Sequence, residues 1–157
     1  MGGIIPERGP QASKSVLGKG AGAVNLAGVP EEFEELPGLS VVVDDVVYMP
    51  SLDHPADRPH PFVYFINIRN ESSERVVIRG RKWLVREDES EETVVVEGEG
   101  VVGQNPDLAP GEVFSYNSYH VARGSGYAEG AFFGETDTGR KVFVRIPRFK
   151  MEVPDWA

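Results

Sequence analysis

The sequence predicts an all-β fold, an antiparallel β-sandwich of about seven strands, and three observations predict it. Short apolar segments with a two-residue period recur from Leu39 to Ile146, separated by Gly, Pro, Asn and acidic turns. No stretch carries the three- to four-residue apolar spacing of a long helix. The glycine run Gly98-Glu99-Gly100-Val101-Val102-Gly103 leads into prolines, Pro106 and Pro110, where a nucleotide-binding loop would open a helix. Proline lacks the N–H that a helix N-terminus turns toward a phosphate, so these glycines belong between strands.

Along the chain, Leu39 to Met49 is the first strand pattern, valine-rich and interrupted at Asp44-Asp45, the mark of a bulge or a sheet edge. Phe62 to Ile68 alternates most cleanly, with Phe62, Tyr64, Ile66 and Ile68 on one face directed into a core. Asn70-Glu71-Ser72-Ser73 is a turn. Val76 and Ile78 continue the inward face, and Trp83 with Val85 resumes it after Gly80 resets the phase. An acidic turn spans Glu87 to Glu92. Strands at Thr93–Glu97, Val113–Ser118, Tyr127–Gly134 and Lys141–Ile146 complete the set, the last two joined by a hairpin at Gly134–Gly139. Tyr116, entering a strand after Pro110-Gly111, sits where sandwiches of the immunoglobulin and fibronectin type III kind place a corner tyrosine.

Residues 1–37 differ in composition: glycines at 2, 3, 9, 18, 20, 22 and 28 and prolines at 6 and 10, with no sustained period. They read as a partly irregular arm preceding a domain over 38–157. Within the arm, Pro30 to Leu36 carries a proline start, early acids and the Phe33/Leu36 pair, which predicts one or two helical turns. The Gly18–Gly22 stretch lacks the Gly-Lys-Ser/Thr ending of a P-loop.

A chain of 157 residues with 40% hydrophobic and 26% charged composition suits one globular domain with its own core. With no cysteine, disulfides, thiolate metal sites and cysteine nucleophiles are excluded. Apolar runs are too short to span a bilayer as helices, and no basic-then-apolar leader opens the chain, so the expectation is a cytoplasmic protein without membrane contact. A net charge of −9 opposes nucleic acid as a partner. Two basic segments, Arg75 to Arg86 and Arg140 to Lys150, would form a strip if their strands were neighbours; strand-edge protection is the simpler reading.

The order and spacing of Tyr48-Met49-Pro50, Tyr64-x-Ile66-x-Ile68-x-Asn70, Arg81-x-Trp83, the long run from Gly98 through Pro110-Gly111-Glu112 to Ser118, Gly139 and Ile146-Pro147-x-Phe149 resembles the ApaG domain family over residues 39–154. Two departures stand out: Tyr119-His120-Val121 where the family often has Gly-Cys-Pro, and Ala128 where methionine is usual. The resemblance implies a fibronectin type III-like sandwich, an association with cobalt resistance and magnesium efflux, and a domain used beside interaction modules, with no catalytic residue to transfer.

The residues themselves offer few sites. His54 and His60, near Asp53 and Asp57 in a proline-rich loop, are of ligand type but fit no standard metal spacing. Glu87 to Glu92 lacks the glycine pivot of a calcium loop. Ser118, Ser125 and His120 have neither a nucleophile elbow nor an acid to orient the histidine. The expectation is therefore a nonenzymatic domain with no cofactor and no metal site, whose ligand is a protein; self-association is compatible with it. Gly98, Gly100 and Gly103 are the candidate anion or partner loop. Arg81 and Trp83 are the candidate interface, with Trp83 in the core as the competing and preferred reading. The alternative class is a protein binding a small anion, a nucleotide or a divalent cation.

Overall fold

The structure, a computed structural model, describes residues 29–157 together with the strand backbones at 5–6 and 13–17. Eleven strands follow in chain order: β1 (Ile5–Pro6), β2 (Ser13–Leu17), β3 (Glu34–Glu35), β4 (Leu39–Tyr48), β5 (His60–Asn70), β6 (Val76–Glu87), β7 (Thr93–Glu99), β8 (Asp107–Leu108), β9 (Val113–Ala122), β10 (Gly126–Thr136) and β11 (Lys141–Met151). Seven of them have seven residues or more, and these are the strands that the sequence pattern predicts. The described residues contain no helix, hence none long and apolar enough to cross a membrane.

Two sheets form. One runs β1-β9-β5-β4, the other β2-β7-β6-β10-β11-β3, with β8 added to β6. Every pairing between the long strands is antiparallel; the parallel pairs are the short additions β1 on β9 and β3 on β11. The inner faces carry the core: Phe62, Tyr64, Ile66 and Ile68 are at most 1% exposed, and Val76, Ile78 and Trp83 are fully buried. Tyr64, Trp83 and Phe149 form an aromatic cluster with centroid separations of 4.9–5.8 Å, bridging the sheets. Burying such rings contributes both apolar area and a preferred edge-to-face geometry.

Two irregularities fall where the sequence places them. The register of β4 on β5 shifts between Val43 and Asp45, so the two aspartates sit at a bulge in a strand at the sheet's edge. On β6 the register against β10 shifts between Ile78 and Gly80, which moves the inward face from even to odd positions and brings Trp83 inside. The Asn70 turn is held by its own side chain. Asn70 is fully buried; its amide donates to the Glu74 carbonyl (2.8 Å) and the Leu108 carbonyl (2.9 Å), and its oxygen accepts from the Ser72 N–H (3.0 Å). That arrangement satisfies carbonyls that burial would otherwise strand.

The helical turns expected at Pro30–Leu36 do not form. A single turn, Phe33 N–H to Pro30 C=O at 3.0 Å, leads into β3, which pairs with Val142 and Phe143. Phe33 meets Phe133 edge-on at 5.1 Å, and Leu36 is buried. Tertiary pairing outweighs the weak local preference of so short a segment. The other features expected in residues 1–28 lie outside the described residues, apart from the pairing of β1 and β2.

Candidate functional site

The glycine run closes a two-residue hairpin turn rather than opening a helix. Val101 and Gln104 exchange both backbone hydrogen bonds (2.7 and 2.9 Å), with Val102 and Gly103 at the tip, both at positive φ (43° and 79°). This is the twist that tight hairpins favour, although valine adopts it at a cost. The Gly100 N–H donates to the Arg79 carbonyl (2.8 Å), so the amides of Gly100, Val101 and Gln104 are all committed to backbone acceptors. The carbonyls of Glu99 and Gly100 turn to the Arg81 guanidinium, at 2.8 and 3.3 Å. Carbonyls around a cation do not make an anion cradle; the turn is built around arginine.

The interface expected at Arg81 and Trp83 is corrected by burial. Trp83 is fully enclosed, which is the competing core reading, and Arg81 is 8% exposed beneath the glycine turn. Neither side chain offers surface to a partner. Trp156, in contrast, is 76% exposed and rests edge-on against Tyr48.

The ligand-type histidines are held apart by separate partners. His54 Nδ1 bonds the Leu52 carbonyl (2.7 Å), and His60 Nδ1 bonds the Tyr48 hydroxyl (2.9 Å). Among the described residues, no group of three or more His, Cys, Asp or Glu is placed to hold a metal ion. His120 stacks among Tyr64, Trp83 and Phe149 on the inner face, while Ser125 Oγ accepts the Val153 N–H (2.8 Å) at a chain turn. The basic segments are not neighbours: β6 and β11 lie on opposite sides of β10. Their cations pair individually with acids, as in Arg75–Asp107, Lys82–Glu97, Arg145–Glu35 and Arg148–Glu129.

The feature that sequence reasoning missed is a cleft of about 390 Å³ bounded by the 53–58 loop, β7 and β9. Val85, Val94 and Val96 give it an apolar floor; His54, Arg58, Tyr119 and His120 supply polar groups. Arg58 is buried and paired with Glu87 at 3.5 Å, and the same Glu87 oxygen accepts the Arg123 N–H at 2.8 Å. Tyr119 donates its hydroxyl to the Asp53 carbonyl (3.0 Å), fixing the loop to the strand; burial, with the Asp53 charge, pushes the phenol above its ordinary pKa and keeps it a donor. An apolar floor with a few placed polar groups is the usual make-up of a ligand site. The strand at Thr93–Glu97 is legible in the sequence, but the loop that completes the cleft lies some forty residues upstream, and local patterning does not show that closure.

This geometry sits on a recognisable chain. The ApaG domain model matches residues 50–136, more than half of the protein. The protein belongs to the ApaG domain family. Protein ApaG of Rhodopseudomonas palustris is 37% identical over 109 residues, covering 69% of this chain and 83% of that protein. Protein ApaG of an Enterobacter species is also 37% identical over 109 residues, 69% of this chain and 86% of its own. The crystal structure of the ApaA protein of Bordetella pertussis superposes with a TM-score of 0.64 at 29% identity, covering 78% of this chain and 98% of that one. A second X-ray structure, a structural-genomics target, gives 0.67 at 26% identity, covering 76% and 90%. The cleft-forming segments 53–58, 85–96 and 119–121 all fall inside the matched ApaG region.

Proposed function

We propose that this ApaG-family chain is a noncatalytic protein-interaction domain that binds its partner at the β7–β9 cleft. The observation that carries the reading is the cleft itself: an apolar floor between β7 and β9, with Arg58 and Tyr119 at its wall. A partner side chain entering it would cover the apolar surface the cleft leaves open, chiefly at half-buried Val94, which favours binding at roughly 25 cal/mol per Å² of apolar surface covered. The glycine turn supports the same reading over an anion or nucleotide ligand, because the Gly100, Val101 and Gln104 amides are spent on backbone acceptors. The scattered partners of His54 and His60 likewise support it over a divalent cation. The association with cobalt and magnesium that the resemblance implies would then be exerted through the partner.

The test compares three forms of the full chain as bait in cell extract, with quantitative mass spectrometry: unsubstituted, Val94→Asp in the cleft, and Val113→Asp on an exposed site outside it. Partners kept by the first and third and lost by the second support the reading. In parallel, pyrophosphate, magnesium and cobalt are titrated while amide shifts are recorded. Saturable shifts confined to Gly98–Gly103 would favour the anion alternative instead.

A further inference from the structure

The two sides of the sandwich are finished differently. On one, β4 and β11 pack against each other and β3 covers the edge of β11. On the other, β7 and β9 bound the cleft, and each receives one strand from the first seventeen residues: β1 on β9, β2 on β7. The β2 pairing is antiparallel over five residues, Ser13 opposite Glu97 through Leu17 opposite Thr93. An edge strand presents unpaired N–H and C=O groups that template another strand. The β7 edge is therefore built to accept an extended segment, and a segment of this chain occupies it. Exposed acids flank that edge: Glu91 and Glu92 precede β7, and Glu97 and Glu99 lie at its end. The resident strand reads Ser-Lys-Ser-Val-Leu, and its register sets Ser13 opposite Glu97 and Lys14 opposite Val96, so an incoming strand with a cation at the first of these positions would gain a charge pairing over it.

We propose that the β7 edge beside the cleft is a strand-addition site for an extended peptide that sets a basic residue opposite Glu97, and that Ser13–Leu17 is its resident, displaceable occupant. The inference rests on the reading of the cleft as a binding site, and names the chemistry of what binds. Main-chain bonds to β7 supply affinity, and the valines and glutamates along it select the side chains. The tethered segment competes at high effective concentration, so the free domain is held closed until a better strand arrives. Glu97 is already paired with Lys82 at 3.6 Å, and a peptide cation would extend that pair into a small network.

The probe is a fluorescein-labelled peptide copying residues 11–19, titrated into the full chain and read by anisotropy. Adjacent residues of an antiparallel strand alternate in which N–H faces the neighbour, so Ser15→Pro with Val16→Pro removes a ladder donor in either phase. That double variant of the full chain is expected to bind the probe about tenfold more tightly than the unsubstituted chain. A second probe, with lysine in place of the serine that copies Ser13, sets a cation opposite Glu97 and is expected to bind that variant about threefold more tightly than the first. Amide shifts on binding should centre on Val94, Val95 and Val96. Equal affinity of the first probe for the two chains, no gain from the lysine probe, absence of binding, or shifts centred on another strand would overturn the proposal. If the probe fails while Val94→Asp still loses the captured partners, this inference falls and the binding cleft stands; if Val94→Asp keeps every partner, the cleft reading falls whatever the probe does.

Discussion

Arg81 occupies the space that a side chain at Gly98 would need: a Cβ built there lies 2.6 Å from the arginine Nη1. The glycine run is thereby explained without a ligand. Gly98 makes room for the guanidinium, and the carbonyls of Glu99 and Gly100 take up its N–H groups.

This relationship predicts a graded series of glycine substitutions. Gly130→Ala puts a Cβ 2.1 Å from the Lys82 carbonyl oxygen, rigid backbone in the middle of the β6–β10 pairing, and should cost about 3 kcal/mol or more. Gly98→Ala meets a side-chain end that can move only by giving up its carbonyl partners, and should cost about 1–3 kcal/mol. Gly103→Ala meets nothing within 4 Å and bears only its positive φ, about 1 kcal/mol. Urea midpoints of the three variants check the order.

The two tryptophans should behave as opposites. Trp83→Ala empties the centre of the aromatic cluster and should destabilise by about 3–5 kcal/mol, enough to unfold many domains of this size. Trp156→Ala should change stability by less than about 0.5 kcal/mol. In Trp156→Phe the remaining emission should be blue-shifted and resist acrylamide quenching.

Acid should weaken the link between the arm's end and the β10–β11 hairpin. Glu74 accepts from the Thr138 hydroxyl (2.8 Å) and pairs with Arg140, which also holds Glu34. The Thr138 hydrogen bond, and then the Arg140 charge, hold the Glu74 carboxyl below its ordinary value of 4.5. A carboxylate whose folded pKa is depressed adds stability that is fully present above its unfolded pKa and disappears as pH falls through the folded one. The Tm difference between the unsubstituted chain and Glu74→Gln should be constant from pH 7 to about 5 and shrink below that.

Much of the fold was legible because strands declare themselves locally. The alternation of Phe62 to Ile68, the Asp44-Asp45 interruption and the phase change at Gly80 each state which face is inward, and each is found where the sequence puts it. The turn at Pro30–Phe33 was misread because proline and acids favour a helix start, whereas the outcome is decided by an edge of β11 more than a hundred residues away. The site was less legible still. Arg81 and Trp83 are residue types common at interfaces, yet type alone does not distinguish a hot spot from a core position. The cleft depends on three segments meeting, the 53–58 loop, β7 and β9, and no local pattern reports that meeting.

The most direct measurement places a photo-crosslinking amino acid at position 121, on the cleft, or at position 113, on the exposed start of β9, in the full chain in cells. The account predicts that irradiation yields a discrete crosslinked species, heavier than the protein itself, from position 121 and not from 113. The same crosslinked species from both positions, or from 113 alone, would contradict it.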